Sequence, residues 1–496
     1  MMAVLEDSIA LGRSVYNTDI DLAHLPADDP KVYRALQKAD TIGMFQVESR
    51  AQMSSLPRVQ PRNFYDLVVQ VALIRPGPIV GKMVHPYLRR RQGKEPAECL
   101  HPSLEPVLRR TLGVPLFQEQ LLRIAMTAAN FTGGEAEELR RAMGFKRSEK
   151  RMIDIEGRLR AGMTANGIIG ETQNTIVKSI TSFALYGFPE SHAASFALIA
   201  YASAYLKCHF PAIFTAALLN NQPMGFYHPA TIVKDAQRHG VRVLPVDVAI
   251  SDWPCLVLPD PARPCIRLGL QYARGVSQQS GRAIVARRPY KSIDDLVRRV
   301  PELRKDEMRR LASIGALNSL DQSDAGLHRR HAMWEVERAA RPAGPLFEYD
   351  QPATPSPLAP MSAPERLFHD FLGTGLTVGR HLMAHRRAEF PPDVLRASDL
   401  QFQRHNHWVK VAGCIIVRQR PGTAKGFVFL SLEDETGVAN IIIEPDVFER
   451  QRETVVNSSV VLIEGVLQHL EGTVSIRARS VQSVASCVTV GSHDFH

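Results

Sequence analysis

The sequence predicts a multi-domain α+β protein. Three observations carry that reading: near-continuous helical signals over residues 103–220, a β-rich stretch over 405–485, and a segment rich in Pro, Ala and Ser over 339–364. A chain of 496 residues corresponds to about three domains. Apolar residues make up 45% and charged residues 22%, close to the soluble globular average. Wholesale disorder and collagen-like structure are excluded.

Taken in order, Leu5 to Leu11 reads as the end of a helix. Pro30 to Lys38 starts another after Asp28-Asp29. NFYDLVVQVALI, within 61–75, is an apolar helix stopped by Pro76-Gly77-Pro78. SLEPVLRRTL, QEQLLRIAMTAANF, GEAEELRRAM and the apolar run near 193–219 make 103–220 almost wholly helical. Thr132-Gly133-Gly134 ahead of Glu135, Glu137 and Glu138 is a helix start with acids in its first turn. Residues 221–273 shift to short strands and turns, with VRVLPVDV and CIRLGLQ as the strand candidates, and 274–320 return to short helices. The 339–364 stretch reads as a linker. HWVKVAGCIIVRQR, GFVFLSLEDETG, VANIIIEP, SVVLIEGVLQ and TVSIRARSVQSV give five strands with a Gly-bearing turn between them. That spacing suggests a small closed barrel such as an OB-fold.

The net charge of +9 is unevenly spread: −2 over 1–74, +7 over 75–160, +1 over 161–250, +5 over 251–340 and −2 over 341–496. Two basic stretches between near-neutral or acidic ends suit a polyanion-binding protein; solvated arginine-rich helix faces are the alternative. The six cysteines form no C-x-x-C pair, so a reduced cytosolic protein is expected. The longest apolar run, Ala193 to Leu206, is too short to span a bilayer, and no secretory signal is visible. No membrane partner is expected.

Five constellations could carry chemistry. Leu139-Arg140-Arg141, continuing to Lys146-Arg147, offers several guanidinium and ammonium donors to phosphate within a short helical span. The competing reading pairs these arginines with Glu135, Glu137 and Glu138 on the same helix. Arg75, in Ile74-Arg75-Pro76-Gly77-Pro78, would be held at a surface by the turn, or would simply snorkel from a helix stop. His192 opens a helix after a Gly/Pro turn, in Glu190-Ser191-His192-Ala193, where it could meet phosphate or a base, or cap and pack. Arg274-Gly275-Val276-Ser277 resembles one helix-hairpin-helix, whose backbone N–H groups grip DNA phosphate without reading sequence; Leu311 to Leu317 is its candidate partner. In the barrel, Phe427 and Phe429 alternate with Val428 and Leu430. Phenylalanines facing out would stack single-stranded bases; facing in, they would be core. Asp19-Ile20-Asp21 has the spacing of a two-metal pair but sits in a polar loop, and no metal site is assigned.

TIGMFQVESR (41–50), the RPGP turn, GVPLFQEQLLRIA, LRRAMGFKR, YGFPESHAASFALIAYASAYLK and SLEDETG are together similar to the C-family DNA polymerases, the bacterial polymerase III alpha subunits. VESRAQMSSLPR, HPYLRRRQG and the C-terminus just after the barrel resemble the error-prone, alpha-like branch. The resemblance runs in order along nearly the whole chain. It implies the end of a palm and its exit over 1–60 and helical fingers over 61–220. Beyond these it implies the end of the fingers with tandem helix-hairpin-helix motifs over 221–338, a linker and connecting segment over 339–399, and an OB-fold meeting single-stranded template over 400–496.

It further implies that Arg75, Arg140, Arg141 and His192 bind the incoming nucleotide. Lys146, Arg147, Arg274, Gly275, Ser277, Phe427 and Phe429 would bind DNA. Implied partners are primer–template DNA, incoming dNTP, a sliding clamp and accessory mutagenesis proteins. The family's PHP domain and its three metal-binding carboxylates are expected upstream of Met1. Mg2+ is therefore expected in the full-length enzyme and not on this chain alone, and no catalytic residue is assigned. Two readings follow: part of an error-prone polymerase acting in translesion synthesis and damage-induced mutagenesis, or a catalytically inactive, truncated DNA-binding fragment. An unrelated OB-fold tRNA-binding protein is a third.

Overall fold

The computed structural model describes every residue except 75–80, 145–148, 184–187, 261–262, 321–327, 340–355, 487–491 and 496. The chain forms two compact units, His24–Tyr205 and Met1–Ala23 with Leu206–His496.

The first unit is helical, and its helix starts follow local chemistry. The Asp29 carboxylate accepts the Lys31 amide at 2.7 Å and Pro30 fills the first position of helix Pro30–Gln37. Asn63 caps Phe64–Leu73 through the Asp66 amide at 3.0 Å. That helix is buried at every position from Asp66 to Leu73, as its unbroken apolar sequence requires. Thr132 and Glu135 exchange hydrogen bonds at the start of Gly133–Gly144, closing a capping box. Beneath it, Leu104, Leu121, Ile124, Leu139, Ile155 and Leu159 form one apolar core. Gly162 lets Glu149–Ala165 lie directly on the neighbouring backbone, since a Cβ there would sit 2.1 Å from the Ala129 carbonyl oxygen.

In the second unit, helix Met2–Tyr16 extends further than Leu5 to Leu11 suggests and ends at Asn17 in the left-handed region. A three-stranded sheet follows, with Cys265–Arg267 in the centre, parallel to Arg242–Leu244 and antiparallel to Leu256–Leu258. Short helices Gln278–Ala286, Ile293–Arg299, Lys305–Ser313 and Arg329–Ala339 succeed it. Helix Ala363–Thr374 begins inside the stretch expected to be a linker. Ser362 and Glu365 close its capping box and Pro364 occupies its first turn, so residues that look like linker composition are helix-start residues.

All five expected barrel strands form: Trp408–Gln419, Val428–Glu433, Val438–Ile443, Val460–Leu470 and Thr473–Ser483. The first three pair antiparallel in sequence, the third pairs parallel with the fifth, and the fourth joins the fifth to the first. This closes the sheet on itself, and the fold is an OB barrel behind a mostly helical chain. Closure depends on the first strand serving both edges. Its register shifts between Ile415 and Val417, and Cys414 pairs with both Glu433 and Val460. Val428, Leu430 and Leu432 face the barrel core with Ile441, Ile463 and Ile476. Two short additions flank the first strand, Val394–Leu395 and His493–Phe495, both parallel to it.

Candidate nucleic-acid interface

Two sharp turns shape the hairpin region. Gly275 and Gly315 have φ of +88° and +81°, a conformation that strains residues with a side chain. At the first turn the Val276 amide bonds back to the Ala273 carbonyl at 3.1 Å, and Ser277 caps Gln278–Ala286 through the Ser280 amide at 3.1 Å. At the second, the Gly315 and Ala316 amides close on Ala312 and Leu311.

A carboxylate missed in the sequence joins the first turn to the next helices. Glu307, only 1% exposed, accepts the Ser277 amide at 2.7 Å, the Arg304 amide at 2.9 Å and the Ser280 hydroxyl at 2.9 Å. Burial pushes its carboxyl up, but these donors outweigh burial and hold it below the ordinary value. The result is a rigid, exposed loop. The amides of Gly275, Gln278 and Gln279 have no acceptor among the described residues, and Arg274 and Ser277 are exposed beside them. Arg274 is steered by its own amide, which bonds the Gly373 carbonyl at 2.7 Å, and by Gly375, over which its guanidinium lies.

In the helical unit, Arg140 makes a two-pronged bond to Glu137 at 2.6 and 2.8 Å, and Arg141 approaches the same carboxylate at 3.4 Å. Arg158 takes up Glu135 and Glu138. The intrahelical pairing is thus formed for both arginines, which remain on an open face with 45% and 73% of their side chains exposed. Glu137 is drawn down to about 2, mainly by the Arg140 bond. Arg75, Lys146 and Arg147 lie outside the described residues.

His192 is exposed and lies between Phe188, which it meets edge-on, and Phe196, to which it is tilted, with centroids 5.2 and 4.2 Å away. Phe196 meets Phe45 edge-on at 5.4 Å, and the Phe45 amide bonds Ser203. The TIGMFQVESR and SHAASFALIAYASAY segments therefore converge on one aromatic row. The FQEQ segment joins them: Glu119 accepts the Glu190 amide at 2.9 Å and the Gln118 amide bonds the Phe188 carbonyl. Sequence reasoning also missed Tyr65 and Arg110. The Tyr65 hydroxyl donates to Glu190 at 2.9 Å, and the Arg110 guanidinium lies 3.6 Å over its ring. Burial first, then the Glu190 bond, pushes the Tyr65 phenol far up. These two residues wall an open cavity of about 400 Å³ with Asp28, Asn63 and Ala194.

On the barrel, Phe427 and Phe429 are half-buried and face away from the core that holds Val428 and Leu430. The register places Phe429, Ile442 and Arg477 in a row across three strands. Glu444 bonds both Arg477 and Arg479 along the edge of that row.

Comparisons with known proteins agree with this order of parts. The bacterial DNA polymerase III alpha subunit finger domain matches residues 1–167, across the expected boundary at 60. A helix-hairpin-helix motif matches 240–331, and an OB-fold nucleic acid binding domain matches 409–484. An error-prone DNA polymerase of Anaeromyxobacter dehalogenans (strain 2CP-1 / ATCC BAA-258) is 49% identical over 490 residues, covering 96% of this chain and 42% of that protein. Error-prone DNA polymerase 2 of Rhizobium meliloti (strain 1021) is 43% identical over 499 residues, covering 96% and 44%.

The chain is homologous along nearly its whole length to error-prone DNA polymerases, and its finger, helix-hairpin-helix and OB-fold parts fit the C-terminal part of a C-family alpha-like polymerase. It spans less than half the length of these curated relatives. Among solved structures, the asparaginyl-tRNA synthetase from Pyrococcus horikoshii is similar at 19% identity and a TM-score of 0.16, covering 19% of this chain and 24% of that one, too little to carry an argument. C-family polymerases use Mg2+, and the Asp19–Asp21 pair does not fit that role. Asp19 is bound to Arg13 at 2.7 Å, and Asp21 accepts the Ala23 amide at 2.9 Å in an exposed loop.

Proposed function

We propose that this chain is the nucleotide- and DNA-holding part of an error-prone DNA polymerase, which adds deoxynucleotides to a primer in translesion synthesis and damage-induced mutagenesis. The observation that carries the reading is the hairpin loop. Its open amides at Gly275, Gln278 and Gln279, with Arg274 alongside, can take phosphate oxygens of a duplex whatever the sequence. The homology along 96% of the chain supports the same reading.

In this proposal Arg75, Arg140, Arg141 and His192 face the incoming dNTP, and Lys146 and Arg147 face DNA. Glu137 acts as a placeholder that a polyphosphate displaces, since exposed ion pairs are weak and exchangeable. The outward Phe427 and Phe429 stack unpaired template bases. A sliding clamp and accessory mutagenesis proteins are proposed partners of the whole enzyme. Mg2+ would supply metal-assisted phosphoryl chemistry there, and no step is assigned to it on this chain.

The test is binding of labelled primer–template DNA by the purified chain across a salt series, with primer extension measured in parallel. The expected result is affinity falling steeply with salt, by a slope of roughly 0.9 per phosphate neutralised. Binding that is weak and indifferent to salt overturns the reading. Extension by this chain alone would rule out the inactive-fragment alternative.

A further inference from the structure

We propose that a cavity between helix Pro229–Arg238, the turn Gly379–His381 and the barrel turn at Asp434-Glu435 is a phosphate-binding subsite. It would take one phosphate group, either from a nucleic-acid strand or as the free ion. The strand source rests on the DNA-binding function proposed above; the phosphate chemistry of the cavity does not.

The cavity measures about 380 Å³. Its decisive residue is Lys234, which is only 8% exposed. The ammonium donates to two neutral acceptors, the Gly379 carbonyl at 2.6 Å and Gln237 Oε1 at 2.9 Å. Among the described residues no carboxylate lies within ion-pair distance of it. Buried ammonium groups are ordinarily paired with an anion. Here burial draws the amine down to about 8; Glu433 and Asp370 work against burial, and Arg238 works with it.

The acids around the cavity are already engaged. Glu433, buried at the end of its strand, bonds Arg238 at 2.6 Å and lies 3.8 Å from His381. Asp434 accepts the Ala397 amide at 2.7 Å and the Thr436 and Gly437 amides of its own turn. Glu435 bonds Arg387 at 2.8 Å and lies 3.5 Å from Arg396. Two donors are left over: the third N–H of Lys234 and the exposed guanidinium of Arg380, which has no partner among the described residues. Phosphate offers only acceptors to such a pair, whereas a cation would meet Lys234, Arg238 and Arg380 and be repelled.

The test uses the full chain and an amine-reactive N-hydroxysuccinimide ester, with acylation at Lys234 followed by peptide mass spectrometry. Lys31, exposed on the surface, is the internal control. In one arm orthophosphate is compared with sodium chloride at equal ionic strength; in the other, primer–template DNA is added and its binding checked by gel shift. Orthophosphate is expected to slow Lys234 acylation about threefold or more by occupying the site, and Arg380→Ala, at an exposed position, to cut that protection. Protection by bound DNA as well assigns the strand as the source; protection by orthophosphate alone assigns the free ion. If DNA binds and neither agent protects Lys234, the subsite is refuted while DNA binding stands. If DNA fails to bind, the function proposed above fails, and the orthophosphate arm still decides the cavity.

Discussion

The hairpin at Arg274 to Gln279 and the arginine-bearing helix Gly133–Gly144 both offer phosphate donors, and they are built in opposite ways. The helix carries formal charge, but Arg140 and Arg141 are bound to Glu137 on their own face. The hairpin loop carries a single arginine, yet the amides of Gly275, Gln278 and Gln279 have no acceptor among the described residues, and a buried carboxylate below the loop fixes it through the Ser277 and Arg304 amides. Local net charge is therefore a poor measure of what a surface can give to a polyanion. The count of donors without internal acceptors is a better one.

The largest effect expected from breaking this comparison is at Glu307. Glu307→Ala removes the acceptor of the Ser277 and Arg304 amides and one acceptor of the Ser280 hydroxyl, at a cost of about 2–3 kcal/mol, read as a fall in Tm, with DNA affinity falling in step. Wild-type stability should show the matching pH dependence. The Glu307 carboxyl is held below its ordinary value, so its contribution is complete above about pH 4.3. It is lost as the pH falls through the lower folded value. Glu307→Gln keeps acceptor capacity for one amide and should recover part of the loss. A Tm unchanged by both substitutions would sink the view that this carboxylate organises the loop.

Next in size is Gly275→Ala. At φ +88° a methyl group costs about 1–2 kcal/mol, and nothing lies within 4 Å of the added carbon to clash with it. The strain falls on the loop and not on packing. DNA affinity is expected to fall roughly tenfold if half of that strain, together with the lost amide geometry, appears in binding. Thermal unfolding should move by only a few degrees. Equal losses in both measurements would mean that the glycine serves the fold and not the ligand.

Much of this contrast is legible in the sequence, and the part that is not has a physical cause. Strand Val428–Glu433 is visible because Val428, Leu430 and Leu432 recur with a period of two and face the barrel core. Ser277 and Gly275 announce a turn followed by a capped helix. Strand Leu256–Leu258 is three residues between prolines, too short for a period. Helix Ala363–Thr374 hides behind residues that serve linkers and helix starts alike. In the candidate sites, residue types were readable and partnerships were not. Tyr65 meets Glu190 across 125 positions and Arg238 meets Glu433 across 195. Buried carboxylates such as Glu307 and Glu433 bind backbone amides or distant arginines, which leave no spacing signal. The Arg140–Glu137 pair was one of two open readings of a single helix, and side-chain geometry was needed to see it formed.

On the barrel, Phe429→Ala is expected to weaken binding of a short single-stranded oligonucleotide by about 1–2 kcal/mol, the usual cost of losing one stacked base. Duplex binding should change little. The residue is half-buried and points away from the core, so the barrel should retain its unfolding temperature within a few degrees. A drop in Tm with no change in single-strand affinity would assign Phe429 to packing.

The smallest effect sharpens the comparison most. Glu137→Gln removes the negative charge that holds Arg140 and Arg141, leaving only a neutral acceptor, without removing either arginine. If the pair is a placeholder, the released guanidiniums should tighten polyphosphate or DNA binding by about twofold to fivefold at low salt and steepen the salt slope, by at most roughly 0.9 for each added phosphate contact. Above the range where Glu137 protonates, which the Arg140 bond draws down to about 2, the wild-type carboxylate is fully charged. The gain should therefore be constant across neutral pH. The double variant Glu137→Gln with Arg140→Ala should lose most of it, because Arg140 makes the two-pronged contact and Arg141 only the longer one at 3.4 Å. If Glu137→Gln leaves affinity and slope untouched, the helix arginines are a solvated ion-pair face. The grip on phosphate would then rest on the hairpin amides and on residues outside this helix.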